Sequence, residues 1–415
     1  MFKEIIIIVV LFVTSNVMQS EQTRSCNSTT KLTVVFRQRE EDTDSTTQVG
    51  KHMATTKLTV VFRQREEDTD STTQESFFIH FSSNFDTIAI IFTRATSNIV
   101  PELEEPLSSI EKGWKSPQLT QYQRFWLPLR FLSGVMACRE RFEACKNDII
   151  LNTTPKSGTT WLKALTLTFT ISNQARHDFH NHPLLTTNPH ALVPFLESNL
   201  YADGQIPDLT NLPSPRLFSS HLPYELLPTS TIESSCRIIY LCRNPKDTFV
   251  SLWHFLKTFL PEDEPPVPME EAFELFHGGI SPYGPFWEHL LGYWKASLER
   301  PERILFMKYE ELKEDPTFHC RRLAEFLGCP FSTEEERQGL VEKIERFCSF
   351  ESLTSLEVNK SGKTGVPGKA NKNFFRRGIV GDWKNHLTAE MSEKLDQLSQ
   401  QKLEAFGLTY KDVGK

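Results

Sequence analysis

"IILNTTPKSGTTWLKAL", from Ile149 to Leu165, decides how this chain is read. A short apolar run ends in Pro-Lys-Ser-Gly, and Trp161, Leu162, Leu165 and Phe169 then recur at helical spacing. That is the pattern of a buried strand, a turn and an amphipathic helix. A turn feeding a helix N-terminus presents backbone N–H groups without partners, and the helix dipole favours an anion there. Gly158 permits close backbone approach, Thr159 and Thr160 add hydroxyls, and Lys156 adds a point charge. Lys156 precedes Gly158, so the G-x-x-x-x-G-K-[ST] order of a P-loop ATPase is absent. Taken alone, the tetrapeptide also fits a plain βα turn with an exposed lysine.

Two further stretches have related designs. "RIIYLC" (Arg237 to Cys242) reads as a second buried strand, and a helix begins near Pro245 with Phe249, Trp253, Leu256 and Leu260 on one face. Arg243 at the strand end and Ser251, one turn beyond Asp247, suit a second phosphate; the plainer alternative is a surface Arg–Asp pair. "RILFMKY" (Arg303 to Tyr309) reads as a third strand. In "FFRRGIVGDWK", Arg376, Arg377 and Gly378 form a loop that can wrap a terminal phosphate, although alone it fits a solvated basic turn. A last helix is expected near Ala389 to Phe406, with Gly407 as its stop. Strands alternating with helices predict an α/β fold: a central parallel sheet flanked by helices, with a P-loop-like strand–loop–helix nucleotide site.

The 415 residues suffice for a sizeable core, and the formal charge of -7 gives no reason to expect nucleic acid. An anion site must therefore be a local gathering of basic groups. Eight cysteines include no C-x-x-C pair, which suggests neither a disulfide framework nor a zinc site. His177, His180 and His182 in "HDFHNHP" could ligate a metal, but no regular element fixes their spacing and a polar loop is the preferred reading. No carboxylate cluster suggests a catalytic metal.

The N-terminal stretch is atypical. Ile5 to Val13 is a nine-residue apolar run like a signal-peptide core, too short to span a membrane. "TTKLTVVFRQREEDTDSTTQ" occurs at Thr29 to Gln48 and again at Thr55 to Gln74. Residues 1–100 are expected to be a disordered leader and 101–415 the working domain. Scattered thiols favour the cytoplasm; the alternative is a secretory route, against which a glycan on Asn152 would obstruct the anion loop.

Each motif is modest alone, but the three in this order resemble the cytosolic sulfotransferase family, especially its plant branch, over about Pro101 to Tyr410. The resemblance implies a sulfotransferase that uses 3′-phosphoadenosine 5′-phosphosulfate as co-substrate and needs no metal. It implies that Lys156, Ser157, Gly158, Thr159, Thr160 and Trp161 hold the phosphosulfate. Arg243 and Ser251 would bind the 3′-phosphate, Tyr309 and Phe350 the adenine, and Arg376, Arg377 and Gly378 would close over that phosphate. His221 in "SSHLP" would be the general base, with Lys156 also catalytic, and Phe195 and Phe255 would face the acceptor. The implied acceptor is a small hydroxylated molecule such as a flavonoid, brassinosteroid or hydroxyjasmonate.

Two positions depart from the family's animal members. Ser219 stands where some carry a lysine. Lys384, Thr388 and Glu393 fit a dimer motif in which Ala389 replaces valine, so a monomer or weak homodimer is expected. No membrane partner is expected. Two rival readings are a nucleotide kinase and a nucleotide-binding remnant. The missing P-loop order argues against the first, and the intact loop, base and arginines argue against the second.

Overall fold

The computed structural model describes residues 114–171, 177–363 and 370–410, together with the backbone of 57–65, 72–80 and 90–91. The chain divides into two units, Met1–Pro106 and Leu107–Lys415. In the first, Lys57–Arg65 pairs antiparallel with Thr72–His80, which pairs in turn with Ile90–Ile91. Their sequence is rich in β-branched and aromatic types, Val60, Val61 and Phe62 among them, which suit a pleated surface. The apolar run and the first copy of the repeat lie outside the described residues.

The second unit is built on four parallel strands: β1 (Ile149–Thr153), β2 (Leu217–Ser220), β3 (Arg237–Cys242) and β4 (Ile304–Lys308), in the spatial order β2-β1-β3-β4. Three of them occupy the apolar runs read from the sequence. The fourth, β2, was not read as a strand; it has four residues and stands at the sheet edge. Near-continuous apolar strands are what a parallel sheet covered on both faces requires.

Alternation along each strand divides the core in two. Ile150, Ile238, Tyr240, Ile304 and Phe306 face one apolar layer. Ile149, Leu151, Ile239, Leu241, Leu305 and Met307 face the other. On the first side lies helix Phe286–Glu299, and on the second helix Pro316–Leu327. Helix α1 (Thr159–Thr170) follows β1 on the second side, and helix α2 (Pro245–Lys257) follows β3 on the first. Fully burying one Leu, Ile or Phe contributes about 1.5–3 kcal/mol, so these two layers dominate the cohesion of the unit. At the amino ends of β1 and β2, the Arg216 guanidinium donates from Nε to the buried Asp148 carboxylate at 2.7 Å.

Candidate active site

All four strands run the same way, so their carboxyl ends open on one edge of the sheet. Thr153 closes β1 and leads into the anion loop; His221 directly follows β2, Arg243 follows β3 and Tyr309 follows β4. Ligands of open α/β sheets bind in the crevice outside such ends. Here the crevice is a cavity of about 360 Å³.

The loop after β1 needs two positive backbone angles, φ 72° at Lys156 and φ 105° at Gly158. A Cβ on Gly158 would stand 2.8 Å from the Tyr309 ring, so the second position requires glycine both for its angle and for its space. No side chain caps α1, which leaves its N-terminus for a ligand. Lys156, Gly158, Thr159, Thr160 and Trp161 line the cavity. Ser157 does not: its hydroxyl is buried against Thr154 Oγ1 at 2.6 Å and its N–H donates to the Thr154 carbonyl. Its side chain helps to hold the turn.

The second and third motifs converge on the first. Arg243 and Asp247 are both buried and lie 3.6 Å apart, so this is no surface pair. The Arg243 guanidinium lies 4.6 Å from the Tyr309 ring centre and donates to the Ile379 carbonyl at 2.7 Å. Asn244 caps α2, and Ser251 sits two turns further in, on the cavity wall. The Asp247 carboxylate reaches across to accept the N–H groups of Gly381 (2.8 Å) and Trp383 (3.0 Å), which fastens the basic loop to α2. Within that loop, Asp382 accepts from Arg376 and Arg377. Gly378, with φ 64°, lies over Phe350, whose ring a Cβ would meet at 2.5 Å. Tyr309 donates from its hydroxyl to the Gly378 carbonyl at 3.1 Å and packs edge-on against Trp161. Arg376, Arg377, Gly378, Tyr309 and Phe350 all line the cavity.

Positive charge accumulates there. Burial first, and then Arg243 and Arg376, push the Lys156 ammonium down to about 7. Its Nζ lies 4.2 Å from the Phe255 ring centre, which partly offsets that repulsion.

His221 sits at the other end of the loop. Its Nδ1 lies 2.7 Å from the Thr153 carbonyl oxygen, which can only accept, so Nδ1 carries the proton and Nε2 is the basic nitrogen. Burial pushes its pKa down to about 3, which keeps the ring neutral. Its backbone N–H donates to Glu197 at 2.9 Å, and His289, bonded in turn to Tyr240, donates to its carbonyl. Phe195 and Tyr283 pack on the ring at 4.6 and 5.3 Å between centroids. Phe195 and Phe255 both line the cavity, and Phe255 packs on Phe259 and near Phe374.

Several residues on or beneath these walls carried no motif: Arg130, Lys163, His190, Glu197 and Tyr283. They come from separate segments with no shared spacing, and only the fold brings them together. Ser219 bonds to the Pro194 carbonyl within the edge strand. The histidines of "HDFHNHP" do not converge: His177 pairs with Glu335, while His182 is buried and accepts the Leu184 N–H. Among the described residues no group of three or more His, Cys, Asp or Glu suits a metal ion. Thr388 caps the C-terminal helix (Ala389–Leu403) by accepting from Met391 N–H.

A neutral histidine and a nest of cations around one cavity suit group transfer from an anionic donor. The sulfotransferase domain family matches residues 146–407. Cytosolic sulfotransferase 15 of Arabidopsis thaliana is 46% identical over 316 residues, spanning 75% of this chain and 87% of the relative. Cytosolic sulfotransferase 12 of the same plant is 47% identical over 321 residues, spanning 75% and 95%. Among solved structures, an Arabidopsis thaliana protein provisionally assigned as a steroid sulphotransferase superposes with a TM-score of 0.58 at 41% identity, covering 74% of this chain and 93% of its own. A mouse sulfotransferase complexed with PAP superposes with a TM-score of 0.53 at 26% identity, covering 69% and 94%. The chain belongs to the sulfotransferase family.

Asp247→Ala removes the acceptor of two loop N–H groups at once. The amides of Gly381 and Trp383 are then expected to lose their protection against hydrogen exchange while the sheet amides keep theirs. Stability should fall by about 2–4 kcal/mol, as for leaving buried donors unpaired. Retained protection at both amides would mean that the loop is held by other contacts.

Proposed function

We propose that this enzyme transfers the sulfuryl group of 3′-phosphoadenosine 5′-phosphosulfate to a hydroxyl of a small amphipathic acceptor, with His221 as general base. The donor is 3′-phosphoadenosine 5′-phosphosulfate. The observation that carries the reading is the His221 tautomer: a bare Nε2 on the wall of a cavity that also holds Lys156 and the α1 N-terminus. Nε2 takes the acceptor's hydroxyl proton as its oxygen bonds to sulfur, and the sulfur–phosphate oxygen bond breaks in line. The leaving phosphate gains charge, which Lys156 and the loop N–H groups stabilise. Arg243, Ser251, Arg376, Arg377 and Gly378 hold the 3′-phosphate, and Trp161, Tyr309 and Phe350 enclose the adenine. His221→Ala is expected to bind 3′-phosphoadenosine 5′-phosphate as the unaltered enzyme does in calorimetry, and to lose about 10²–10⁴-fold in turnover. Near-normal turnover would remove His221 from the mechanism.

Lys156 gives the donor site a pH dependence. Its pKa near 7 belongs to the empty site, and a bound anion raises it, so binding above that pH takes up a proton. Affinity for 3′-phosphoadenosine 5′-phosphate should therefore fall as pH rises from 7 to 9, by up to about tenfold per unit. Lys156→Arg should flatten this slope, because a guanidinium stays charged. A flat profile in the unaltered protein would place the charge of Lys156 outside donor binding.

The acceptor wall is formed by Phe131, Phe255, Phe259, Phe374 and Tyr283, with Arg130 among them. The Arg130 guanidinium lies 4.5 and 5.2 Å from the ring centres of Phe131 and Phe259 and has no ion pair among the described residues. An unpaired cation on an aromatic wall favours an acceptor that carries a carboxylate, and so the hydroxyjasmonate class over flavonoids and brassinosteroids. The unaltered enzyme should then prefer a hydroxyjasmonate to its methyl ester in kcat/KM by about tenfold, the scale of a hydrogen bond to a charged group. Arg130→Met should abolish the preference. Equal rates for acid and ester in the unaltered enzyme would point to a neutral acceptor.

The working location is the cytoplasm. Cys138, Cys145, Cys236, Cys242, Cys320 and Cys348 are thiols, and Asn152 is wholly buried in β1, where the folded protein has no room for a glycan. The protein acts as a monomer or weak homodimer.

A further inference from the structure

We propose that Lys163 and His190 form a buried hydrogen-bond relay that turns the hydroxyl proton of Thr160 into the cavity, toward an oxygen of the donor's phosphosulfate. The proposal rests on the donor reading above. It adds two positioning residues that act through Thr160: His190 in the cavity wall and Lys163 buried behind it.

Lys163 lies on the second turn of α1 and is fully buried. Its Nζ donates to the Val193 carbonyl at 2.8 Å and to His190 Nδ1 at 3.1 Å, and it lies 3.5 Å from the Phe195 ring centre. One carbonyl, one imidazole nitrogen and one aromatic face account for the three protons of an ammonium. The same two bonds stand if the group is an amine, which still has two N–H donors. With Lys163 donating, Nδ1 of His190 is the accepting nitrogen.

A neutral imidazole that accepts at one nitrogen carries its proton on the other. His190 Nε2 lies 3.0 Å from Thr160 Oγ1. Nε2 therefore donates, Thr160 Oγ1 accepts, and the hydroxyl's own proton must point elsewhere. Thr160 lines the cavity at the second position of α1, beside Lys156. The donor's anionic oxygen is the acceptor that this proton meets. Burial, and after it the charge of Lys163, holds His190 well below its usual value, so the ring is neutral as the relay requires.

The segment that carries His190 is built to hold it still. Asn188 caps the short helix Pro189–Leu192 by accepting the His190 N–H at 2.8 Å, and its amide donates to the buried Asn359. The imidazole is also packed against Phe374 and stacked on Phe195. The same Phe195 lies against His221, so the relay and the base share one wall.

A double-mutant cycle tests the relay, with 3′-phosphoadenosine 5′-phosphate as the calorimetric probe and thermal unfolding as the check on folding. Thr160→Val should weaken binding by about tenfold, as for losing a hydrogen bond to a charged group. His190→Phe keeps the aromatic packing but loses both nitrogens, and should weaken binding by about three- to tenfold. In the Thr160→Val background, His190→Phe should cost less than about twofold more, because the relay acts only through that hydroxyl. His190→Gln, which keeps an N–H donor, should restore binding to within about twofold of the unaltered protein. Lys163→Met supplies a second cycle with the same expectation and stands if His190→Phe does not fold. Multiplying losses in the double variants, or unchanged binding in the single ones, would overturn the relay. An unaltered protein that does not bind the probe would overturn the donor reading itself, a result distinct from an additive cycle.

Discussion

The site depends on one constraint: four strands that run in the same direction must end at the same edge. Each carboxyl end delivers one element of the chemistry, the anion loop from β1, His221 from β2, Arg243 from β3 and Tyr309 from β4. Antiparallel pairing of any one strand would carry its residue to the opposite edge of the sheet. The apolar character of the strands is what permits this arrangement, because a parallel sheet must be covered on both faces. The two apolar layers are thus a requirement of the active site as much as of stability.

Gathering cations has an energetic cost that the fold offsets with buried carboxylates. Asp247 joins helix α2 to the loop of residues 376–383, and Asp382 draws Arg376 and Arg377 together. Both carboxylates hold guanidinium groups and backbone in place without facing the cavity centre. Among the described residues Lys156 has no such partner, and burial beside Arg243 and Arg376 lowers its pKa. An anion bound beside Lys156 would raise it, which would couple binding to the charge state of the site.

His221 is treated in the opposite way. Burial keeps His221 neutral, and a backbone carbonyl, which cannot change its protonation, selects the tautomer. Behind it, His289 and Tyr240 continue a chain of neutral hydrogen bonds into the core. Charge is therefore concentrated on one side of the cavity, around Lys156, Arg243 and Arg376, while His221 and aromatic rings occupy the other.

Three of the four strands, helices α1 and α2, the anion loop and the basic loop were legible from the chain, because each is written in local spacing: apolar runs, helical periodicity, and glycine where the backbone turns. The same local signals picked out Lys156, Arg243 and Arg376, and the family resemblance alone picked out His221. The edge strand β2 was missed because four residues hold too little pattern to separate strand from loop. Ser157 shows a related effect: its sequence position says it lies in the loop, while only the bond to Thr154 turns its hydroxyl away from the cavity. Arg130, Tyr283, Glu197, Lys163 and His190 had no signal at all. Their roles arise from distances between segments far apart in sequence, and such distances are set by how the layers pack. The sequence alone determined which local pieces form and what chemistry each can carry. The tertiary structure decided which pieces meet, which nitrogen of a histidine is bare and which cation lacks a partner, because these depend on burial and on contacts that no spacing encodes.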